Sequence, residues 1–115
     1  MRVLVVDDDP LVARSLARLL KLKGHVVVQV ASAAEARTQL ASEPFDAVLS
    51  DLGLDGVESG DQLLDWVRAE HPHLKRVLTS GGSKPTSFIE VPPMDVFLPK
   101  PFDFARIDEV LPPEK

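Results

Sequence analysis

The stretch Val3-Leu4-Val5-Val6-Asp7-Asp8-Asp9-Pro10 lies at the start of a chain of 115 residues and decides its fold. Four consecutive apolar residues without polar alternation predict a short strand that is buried on both faces, as in a parallel sheet. Asp9 then predicts a helix start, because aspartate caps helix N-termini and Pro10 suits the first helical position. Apolar residues at helical spacing continue as far as Gly24, which is expected to end the helix. A buried strand followed directly by an amphipathic helix predicts an α/β fold.

The same alternation of apolar runs and helix-spaced segments continues along the chain. Strands are expected at 3–6, 26–30, 47–50, 76–79 and 96–98. Helices are expected to begin after Asp9, at a capping box that runs from Ser32 to Glu35, near Leu63 and near Phe104. The stretch 83–93 contains three prolines and little periodicity, so a loop or a short, degraded helix is expected there. This order of elements predicts a doubly wound parallel sheet.

Composition narrows the class of function. The chain has no cysteine, which excludes disulfides, cysteine nucleophiles and cysteine metal sites. Its formal net charge is −5 and the sequence has no block of basic residues, so no nucleic-acid partner is expected. No run approaches the roughly 18 apolar residues of a membrane span, and the first apolar run is too short for a signal peptide. We therefore expect a cytoplasmic protein that binds no membrane.

Polar side chains follow four of the predicted strands at the point where each strand ends. Asp7 and Asp8 follow the first strand, Asp51 ends the third, Ser80 ends the fourth and Lys100 follows the fifth. The carboxyl ends of parallel strands meet at one edge of the sheet, where α/β proteins bind their ligands. Carboxylates held close together repel one another unless a proton or a cation intervenes. Mg²⁺ takes one or two carboxylates and keeps room for water and phosphate oxygens, so a Mg²⁺ site is predicted at this edge.

An aspartate in such a site can also act as a nucleophile and form an aspartyl phosphate. Phosphoryl transfer needs chiefly positioning and the neutralisation of negative charge. The Lys100 ammonium and a divalent cation would supply the positive charge, and the Ser80 hydroxyl would supply a hydrogen bond.

Four short motifs at these strand ends together resemble one family. They are Val5-Val6-Asp7-Asp8-Asp9-Pro10, Leu49-Ser50-Asp51, Thr79-Ser80-Gly81 and Lys100-Pro101-Phe102. In this order, and over essentially the whole chain, they resemble the receiver domain of response regulators in two-component signalling. The resemblance implies a single receiver domain over residues 1–115. It also implies a flavodoxin-like (β/α)5 fold with strand order 2-1-3-4-5, whose fourth helix is here short or degraded.

The resemblance assigns the acidic residues to phosphoryl and metal binding. Asp51 matches the phosphoacceptor. Asp8 matches the acid that binds Mg²⁺ directly, and Asp7 matches the acid that acts through water. The backbone carbonyl of Gly53, two residues past Asp51, matches a further Mg²⁺ ligand. Asp9 is left to cap the helix.

Further positions match the family's phosphate-binding and switch residues. Lys100 matches the lysine that binds the phosphoryl group, and its bond to Pro101 resembles a peptide bond that is usually cis in the family. Ser80 matches the switch hydroxyl. Because successive strand residues point to opposite faces, either Ser80 or Thr79 can face the site, but not both. Phe97 matches the aromatic switch residue that couples phosphorylation to the surface.

The function implied is that of a phosphoaccepting response regulator in a phosphorelay. A histidine kinase or a histidine phosphotransfer protein would donate a phosphoryl group to Asp51, with Mg²⁺ as cofactor. The chain would be no enzyme beyond its own phosphorylation and autodephosphorylation. It would act as a monomer or weak homodimer and signal to an unidentified downstream protein. A stand-alone receiver is expected, although a receiver cut from a longer chain stays open.

Two other interpretations stay open. One is a pseudo-receiver, an interaction module that never takes up phosphate. The other is a fragment of a haloacid-dehalogenase-type phosphatase, suggested by the Asp-x-Asp pattern of Asp7 and Asp9 after a strand. Pro10 argues against it, because that family usually has Gly-Thr or a similar pair at this point.

The loop after Asp51 departs from the family pattern. Leu54-Asp55 stands where the family often has Met-Pro, and the loop before Gly60 is slightly longer than usual. Gly53 and Gly82 stand two residues past Asp51 and Ser80, and neither offers a side chain to shield a phosphoryl group or to orient water. Autodephosphorylation is therefore expected to depend mainly on solvent access.

Overall fold

The computed structural model describes residues 1–54 and 58–114. Strands and helices alternate along this part of the chain as far as the fourth strand. They are β1 (Arg2–Val6), α1 (Pro10–Leu22), β2 (Val26–Val30), α2 (Ala33–Ser42), β3 (Ala47–Asp51), α3 (Gly60–Glu70), β4 (Lys75–Ser80), β5 (Asp95–Pro99) and α4 (Phe104–Val110). Each predicted strand is present, with bounds that differ from the predicted ones by at most one residue at either end.

These strands form one parallel sheet in the order β2-β1-β3-β4-β5. β1 lies between β2 and β3, with Val3 paired to Val27 on one side and to Ala47 on the other. β5 forms one edge, where Val96 lies beside Val77. The order confirms the predicted flavodoxin-like fold. It also places the carboxyl ends of β1, β3, β4 and β5 along one edge of the molecule.

Helices cover both faces of the sheet and divide the hydrophobic core in two. The core against α2 and α3 includes Leu4, Val6, Leu40, Val48, Leu63, Val67 and Leu78. The core with α1 and α4 includes Val3, Val5, Leu16, Leu20, Leu49, Val77, Leu98 and Ile107. Alternate residues of β1 point into opposite cores, which is why this strand is apolar without interruption. Each large aliphatic side chain that is fully buried contributes about 1.5–3 kcal/mol to folding.

Polar caps fix where the first two helices begin. The Asp9 carboxylate accepts hydrogen bonds from two backbone N–H groups in the first turn of α1, at 3.0 and 3.5 Å, and Pro10 is the first helical residue. The Ser32 hydroxyl accepts from the Glu35 N–H at 3.2 Å. The Glu35 carboxylate, however, accepts from the Ala31 N–H at 3.0 Å. The predicted capping box is therefore only half formed, because Glu35 reaches one residue beyond the cap.

The segment 81–94 joins β4 to β5 without a helix. The Ser87 hydroxyl donates to the Asp61 carboxylate at the start of α3. The Arg68 guanidinium on α3 donates to the Ile89 carbonyl at 2.6 Å. The expected loss of a regular helix here is thus confirmed. Prolines interrupt the segment, and hydrogen bonds to side chains of α3 fix its position where helical hydrogen bonds are missing.

The longest helix in the described residues, α1, has 13 residues. At about 1.5 Å per residue it falls well short of the roughly 30 Å hydrocarbon core of a bilayer. No described helix combines the length and the apolar character needed to cross a membrane.

Candidate functional site

Three aspartates converge beyond the carboxyl ends of β1 and β3. Asp7 and Asp8 follow β1, and Asp51 is the last residue of the adjacent strand β3. One carboxylate oxygen from each lies within 4.8 Å of the other two. Asp7 is buried, whereas Asp8 and Asp51 are half-buried. The structure therefore brings together the three acids to which the sequence assigned metal binding.

The ammonium group of Lys100 lies against two of these carboxylates. Lys100 Nζ is 3.1 Å from Asp51 Oδ1 and 3.2 Å from Asp7 Oδ2. Burial lowers the pKa of Lys100, but the hydrogen bond to Asp51 and the negative charges of Asp7 and Asp51 outweigh burial. The pKa of Lys100 is consequently raised above its ordinary 10.5. The side chain stays charged at neutral pH and offsets part of the negative charge of the cluster.

Asp7 is the buried acid of the three. Burial raises the pKa of its carboxyl group. The Asp9 N–H, which donates to Asp7 Oδ1 at 2.9 Å, and the Lys100 ammonium lower that pKa, and the Asp51 charge raises it again. The pKa of Asp7 ends above its ordinary 3.8. A carboxyl group in this state favours a nearby cation, because the cation stabilises the ionised form.

The donor atoms and their spacing fit a hard divalent cation. All three ligand atoms are carboxylate oxygens, which Mg²⁺ and Ca²⁺ prefer. Mg²⁺ binds oxygen at about 2.1 Å, so two of its ligands lie at most about 4.2 Å apart. The observed spread, within 4.8 Å, requires only small side-chain adjustments. Lys100 already pairs with Asp7 and Asp51, and a divalent cation would offset further negative charge in the cluster.

Two glycines lie close to Asp51, and one of them is required by the close approach. A Cβ atom on Gly60, at the start of α3, would lie 2.0 Å from the Asp51 carbonyl oxygen, so a larger residue would displace the end of β3. A Cβ atom on Gly53 would lie 3.9 Å from Asp51 Oδ2. The Gly53 backbone thus runs beside the Asp51 carboxylate. Asp55 and Gly56, from the same glycine-rich loop, lie outside the described residues.

The two hydroxyls at the end of β4 have different partners. Thr79 is the sheet neighbour of Asp51, is fully buried, and donates its hydroxyl to the Ser50 carbonyl at 3.4 Å. The Ser80 hydroxyl accepts a hydrogen bond from the Gly82 N–H at 3.0 Å. Because the Thr79 hydroxyl is engaged within the sheet, Ser80 remains the better candidate for a switch residue.

Phe97 and the Lys100–Pro101 bond lie in β5 and just beyond it. The Phe97 side chain is half-buried and packs against the core beside α2 and α3. Its backbone N–H donates to the Glu90 carboxylate at 2.9 Å. The Lys100–Pro101 peptide bond is cis. Phe97 therefore connects the edge of the sheet with the segment 81–94.

The loop after Asp51 is also connected to α2 and α3. Glu58, near the end of this loop, forms an ion pair with Arg37, whose guanidinium carbon lies 5.1 Å from the centroid of the Trp66 ring. A cation over an aromatic face contributes about 0.5–1 kcal/mol at exposed sites. Trp66 is half-buried and packs on the core. His71 is half-buried, with its ring centroid 5.6 Å from that of Trp66.

A second charged cluster, at the opposite end of the sheet, was not predicted. Asp95 pairs with Arg76 at 2.6 Å and with Arg68 at 2.8 Å, and both Asp95 and Arg76 are buried. Burial raises the pKa of Asp95, but the hydrogen bonds and charges of the two arginines outweigh burial, so the pKa lies below its ordinary 3.8. The sequence contained one indication of this cluster. Arg76 lies near the start of β4, and Asp95 opens β5, where the two are register partners.

Asp61 is a further functional candidate that the sequence did not reveal. It is buried in the first turn of α3 and accepts hydrogen bonds from the hydroxyls of Ser59 and Ser87. Burial raises its pKa, but these hydroxyl hydrogen bonds outweigh burial, so the pKa of Asp61 is lowered. Asp61 therefore links the loop that follows Asp51 to the segment 81–94.

The sequence of this chain is similar to those of known proteins. The chain matches the model of the response regulator receiver domain over residues 3–112. It is 36% identical to response regulator protein FleR of Pseudomonas aeruginosa, over 89% of this chain and 22% of that protein. It is 35% identical to transcriptional regulatory protein FixJ of Azorhizobium caulinodans, over 90% of this chain and 49% of that protein. The chain thus spans about a fifth of the length of the first relative and about half of the second.

Solved structures show the same fold. Response regulator protein TrrA from Thermotoga maritima, in complex with Mg²⁺ and BeF, superposes with a TM-score of 0.83 at 27% identity, over 94% of this chain and 93% of that one. A response regulator receiver protein from Pseudomonas putida superposes with a TM-score of 0.85 at 30% identity, over 98% and 96% of the two chains. Sequence, fold and strand-end acids agree, and this chain belongs to the family of response regulator receiver domains of two-component signalling.

Proposed function

We propose that the chain accepts a phosphoryl group on Asp51 from a phosphohistidine of a histidine kinase or histidine phosphotransfer protein. The observation that supports this most directly is the Lys100 ammonium, 3.1 Å from Asp51 Oδ1, where it can neutralise an incoming phosphoryl group. An Asp51 oxygen attacks phosphorus, the phosphorus–nitrogen bond of the donor breaks, and the imidazole leaves and takes up a proton. The products are an acyl phosphate on Asp51 and a neutral histidine on the donor.

Asp7, Asp8 and Asp51 would hold a Mg²⁺ ion, with the Gly53 carbonyl as a further ligand. When bound, Mg²⁺ neutralises charge on the phosphoryl oxygens. The chain orients the acids before the ion binds, because Asp7 Oδ1 accepts from the Asp9 N–H and Asp7 Oδ2 from Lys100. Since both Asp7 oxygens already accept hydrogen bonds, Asp7 suits contact through water. The family resemblance assigns direct contact to Asp8.

Phosphorylation would exchange the partners of two side chains. Lys100 would pair with a phosphoryl oxygen instead of the Asp51 carboxylate, and the Ser80 hydroxyl would donate to the phosphoryl group. The Lys100 N–H donates to the Ser80 carbonyl at 2.8 Å, so a shift of either residue is passed to the other. Phe97, on the same strand that leads into Lys100, would carry the change to the surface and to a downstream protein.

A groove beside the acid cluster would receive the phosphohistidine donor. It has a volume of about 410 Å³, runs between α1 and the loop after β5, and is mainly apolar. Leu11 and Phe104 line it with side chains that are 71% and 62% exposed. Lys100 lines the same groove and contacts Asp51. A donor helix seated on these apolar side chains would present its histidine to Asp51.

Loss of the phosphoryl group would depend on water reaching Asp51 directly. Gly53 and Gly82 are exposed and place no side chain over the acceptor. Replacement of both by glutamine is expected to change the dephosphorylation rate by at least about threefold, since a bulky polar side chain can either shield the group or orient water. An unchanged rate in the double variant would contradict this part of the proposal.

The decisive experiment is phosphorylation of the full chain with phosphoramidate or acetyl phosphate, read by intact mass. We expect a gain of one phosphoryl group, about 80 Da, that requires Mg²⁺ and disappears in Asp51→Asn. Asp65→Asn is the matched control, because Asp65 is an exposed aspartate on α3. The control should be phosphorylated like the original chain.

Other outcomes separate the alternatives. Mg²⁺ binding without any adduct, together with no change on adding beryllofluoride, would indicate a pseudo-receiver. A change on adding beryllofluoride without an adduct would indicate a receiver that loses its phosphoryl group rapidly. Catalytic turnover of a phosphate ester would indicate a phosphatase and would contradict the proposal.

A further inference from the structure

The two edge strands differ in whether the backbone groups that point away from the sheet are occupied by hydrogen bonds. In a parallel strand, successive residues direct their N–H and C=O groups to opposite sides. In β5, the Met94 carbonyl accepts from Arg76 and the Lys100 N–H donates to Ser80, so even-numbered residues face β4. Residues 95, 97 and 99 therefore face outward.

Each outward N–H position of β5 is occupied or lacks a donor. The Asp95 N–H donates to the Val91 carbonyl at 3.0 Å. The Phe97 N–H donates to the Glu90 carboxylate at 2.9 Å, and Pro99 has no N–H. Natural sheets use acidic side chains, prolines and covering loops in this way to prevent another strand from pairing with an edge.

The other edge strand, β2, is open. The Val26 N–H donates to the Met1 carbonyl at 3.0 Å, so Val27 and Gln29 direct their backbone groups away from the sheet. Within residues 1–54 and 58–114, no group hydrogen-bonds to Val27 or Gln29 on that side. β2 contains neither proline nor a charged residue, and the Val26 side chain is 56% exposed. Such an edge is a template for an added strand.

A row of positive charge on α1 lies beside this open edge. Arg14, Arg18 and Lys21 are exposed and share one helix face, and α1 contains no acidic residue. In the part of the chain that the structure describes, none of the three has a carboxylate within ion-pair distance. Together with Leu22 and Gln29 they line a groove of about 400 Å³. Gln29 therefore belongs both to the basic groove and to the open edge.

We propose that β2 and the basic row bind an extended acidic segment of a partner protein as an additional strand. The partner backbone would pair with Val27 and Gln29, which is how edge strands generally capture extended peptides. Side chains of a strand alternate between its faces, so every second residue of the segment would lie on the α1 side. Glutamate or aspartate at those positions would reach Arg14, Arg18 and Lys21. The segment is thus expected to alternate acidic residues with small or β-branched ones.

A second copy of this chain is a poor occupant of the same edge. Two copies that continue the sheet through antiparallel β2 strands must be related by a twofold axis perpendicular to the sheet. Their α1 helices would then lie on the same face, and the two basic rows would approach each other. Repulsion between like charges disfavours that pairing, whereas an acidic segment is attracted.

The test uses the full chain, labelled with ¹⁵N, and a synthetic peptide of alternating threonine and glutamate, about seven residues long, with both ends blocked. Amide exchange at Val27 and Gln29 is expected to slow when the peptide binds. The double variant Arg18→Glu and Lys21→Glu should weaken binding by at least about tenfold. Arg106→Glu is the matched control, because Arg106 is an exposed arginine on α4, and its affinity should not change.

A backbone variant makes the test independent of charge. Gln29→Pro removes one outward N–H and leaves the hydrogen bonds between β1 and β2 in place, as proline allows on an edge strand. It should weaken binding while the amide spectrum of the remaining residues stays that of the folded chain. Several results would overturn the proposal: no binding, equal binding of a peptide with lysine in place of glutamate, protection at β5 instead of β2, the same protection by a short oligothymidylate, or a dimer formed through β2.

Discussion

Asp7 and Asp95 are both buried, lie at opposite ends of the sheet, and have carboxyl pKa values displaced in opposite directions. Burial raises both pKa values. At Asp95, two arginines and the Val91 N–H pair with the carboxylate, and the pKa is lowered overall. At Asp7, one ammonium is shared with Asp51 in a cluster of three acids, and the pKa is raised overall.

The two acids differ in how fully the positive charge around them matches their own. The Asp95 cluster carries more positive than negative charge and is complete without a ligand, so it stabilises the join between α3, β4 and β5. In the Asp7 cluster one ammonium is shared by two of three carboxylates, and in the proposed function a cation and a phosphoryl group complete the cluster. A buried acid whose pKa is raised in this way is typical of a binding site, which is the role proposed for this end of the sheet.

The largest expected effect is on stability at Asp95. Asp95→Asn should lower the free energy of unfolding by about 3–5 kcal/mol, because two arginines, one of them buried, lose their counter-charge. Asp7→Asn should leave the free energy of unfolding unchanged or raise it by up to about 1 kcal/mol, since it removes a charge that the site does not neutralise. Urea denaturation of both variants in the absence of Mg²⁺ makes the measurement. Equal losses at the two positions would remove the distinction between the clusters.

The next largest expected effect is a pH dependence of the stabilisation that Asp95 provides. Its folded pKa is lowered, so the stabilisation is fully present above the unfolded pKa, about 3.9, and is lost as pH falls through the folded pKa. The difference in unfolding free energy between the original chain and Asp95→Asn should therefore shrink below about pH 4. The exposed-residue variant Asp65→Asn should show no comparable trend. A difference that grows as pH falls would contradict the direction assigned to the Asp95 pKa.

Mg²⁺ should stabilise the folded chain through the acid cluster alone. At a Mg²⁺ concentration ten times the dissociation constant, the gain in unfolding free energy is about 1.4 kcal/mol. Asp8→Asn should remove most of this gain, whereas Asp65→Asn should keep it. Thermal unfolding in MgCl₂ and in NaCl of matched ionic strength provides the comparison. Full retention of the gain in Asp8→Asn would place the cation elsewhere.

The smallest effect is expected at the contact between Asp61 and the segment 81–94. Ser87→Ala should lower the free energy of unfolding by about 1 kcal/mol, the usual net contribution of one hydrogen bond. Amide exchange of residues 84–91 should become faster, while exchange in β1 and β3 stays unchanged. Ser83→Ala, an exposed serine in the same segment, is the control. Faster exchange across the whole sheet would mean that Ser87 acts on global stability and not on this segment.

Rules that apply to short stretches of sequence were sufficient to predict most of the fold. The uninterrupted apolar run before Asp7, the cap at Asp9 and the β-branched run at Val26–Val30 each specify an element without reference to distant residues. The acids, the serine and the lysine could be grouped in advance because parallel strands end at a common edge. Periodicity and strand-end position were therefore sufficient to find the candidate site.

Contacts between distant segments were outside the reach of these rules. Asp61 and Ser87 are 26 residues apart and meet only because the segment 81–94 folds back on α3. Asp95 meets Arg68 and Arg76 through the pairing of β4 with β5. The two edges of the sheet could not be distinguished either, because the role of Glu90 at the Phe97 N–H depends on the path of an irregular segment.

The chain contains one tryptophan, and its position has a practical consequence. Trp66 lies beneath the Arg37 guanidinium, which pairs with Glu58 in the loop that follows Asp51. Indole emission responds to a nearby cation, so a rearrangement that moves the Arg37 guanidinium is expected to alter the fluorescence of this ring. The unlabelled chain thus carries its own optical probe beside the loop that follows Asp51, and the proposed binding of Mg²⁺ or a phosphoryl group can be tested in real time without introducing a dye.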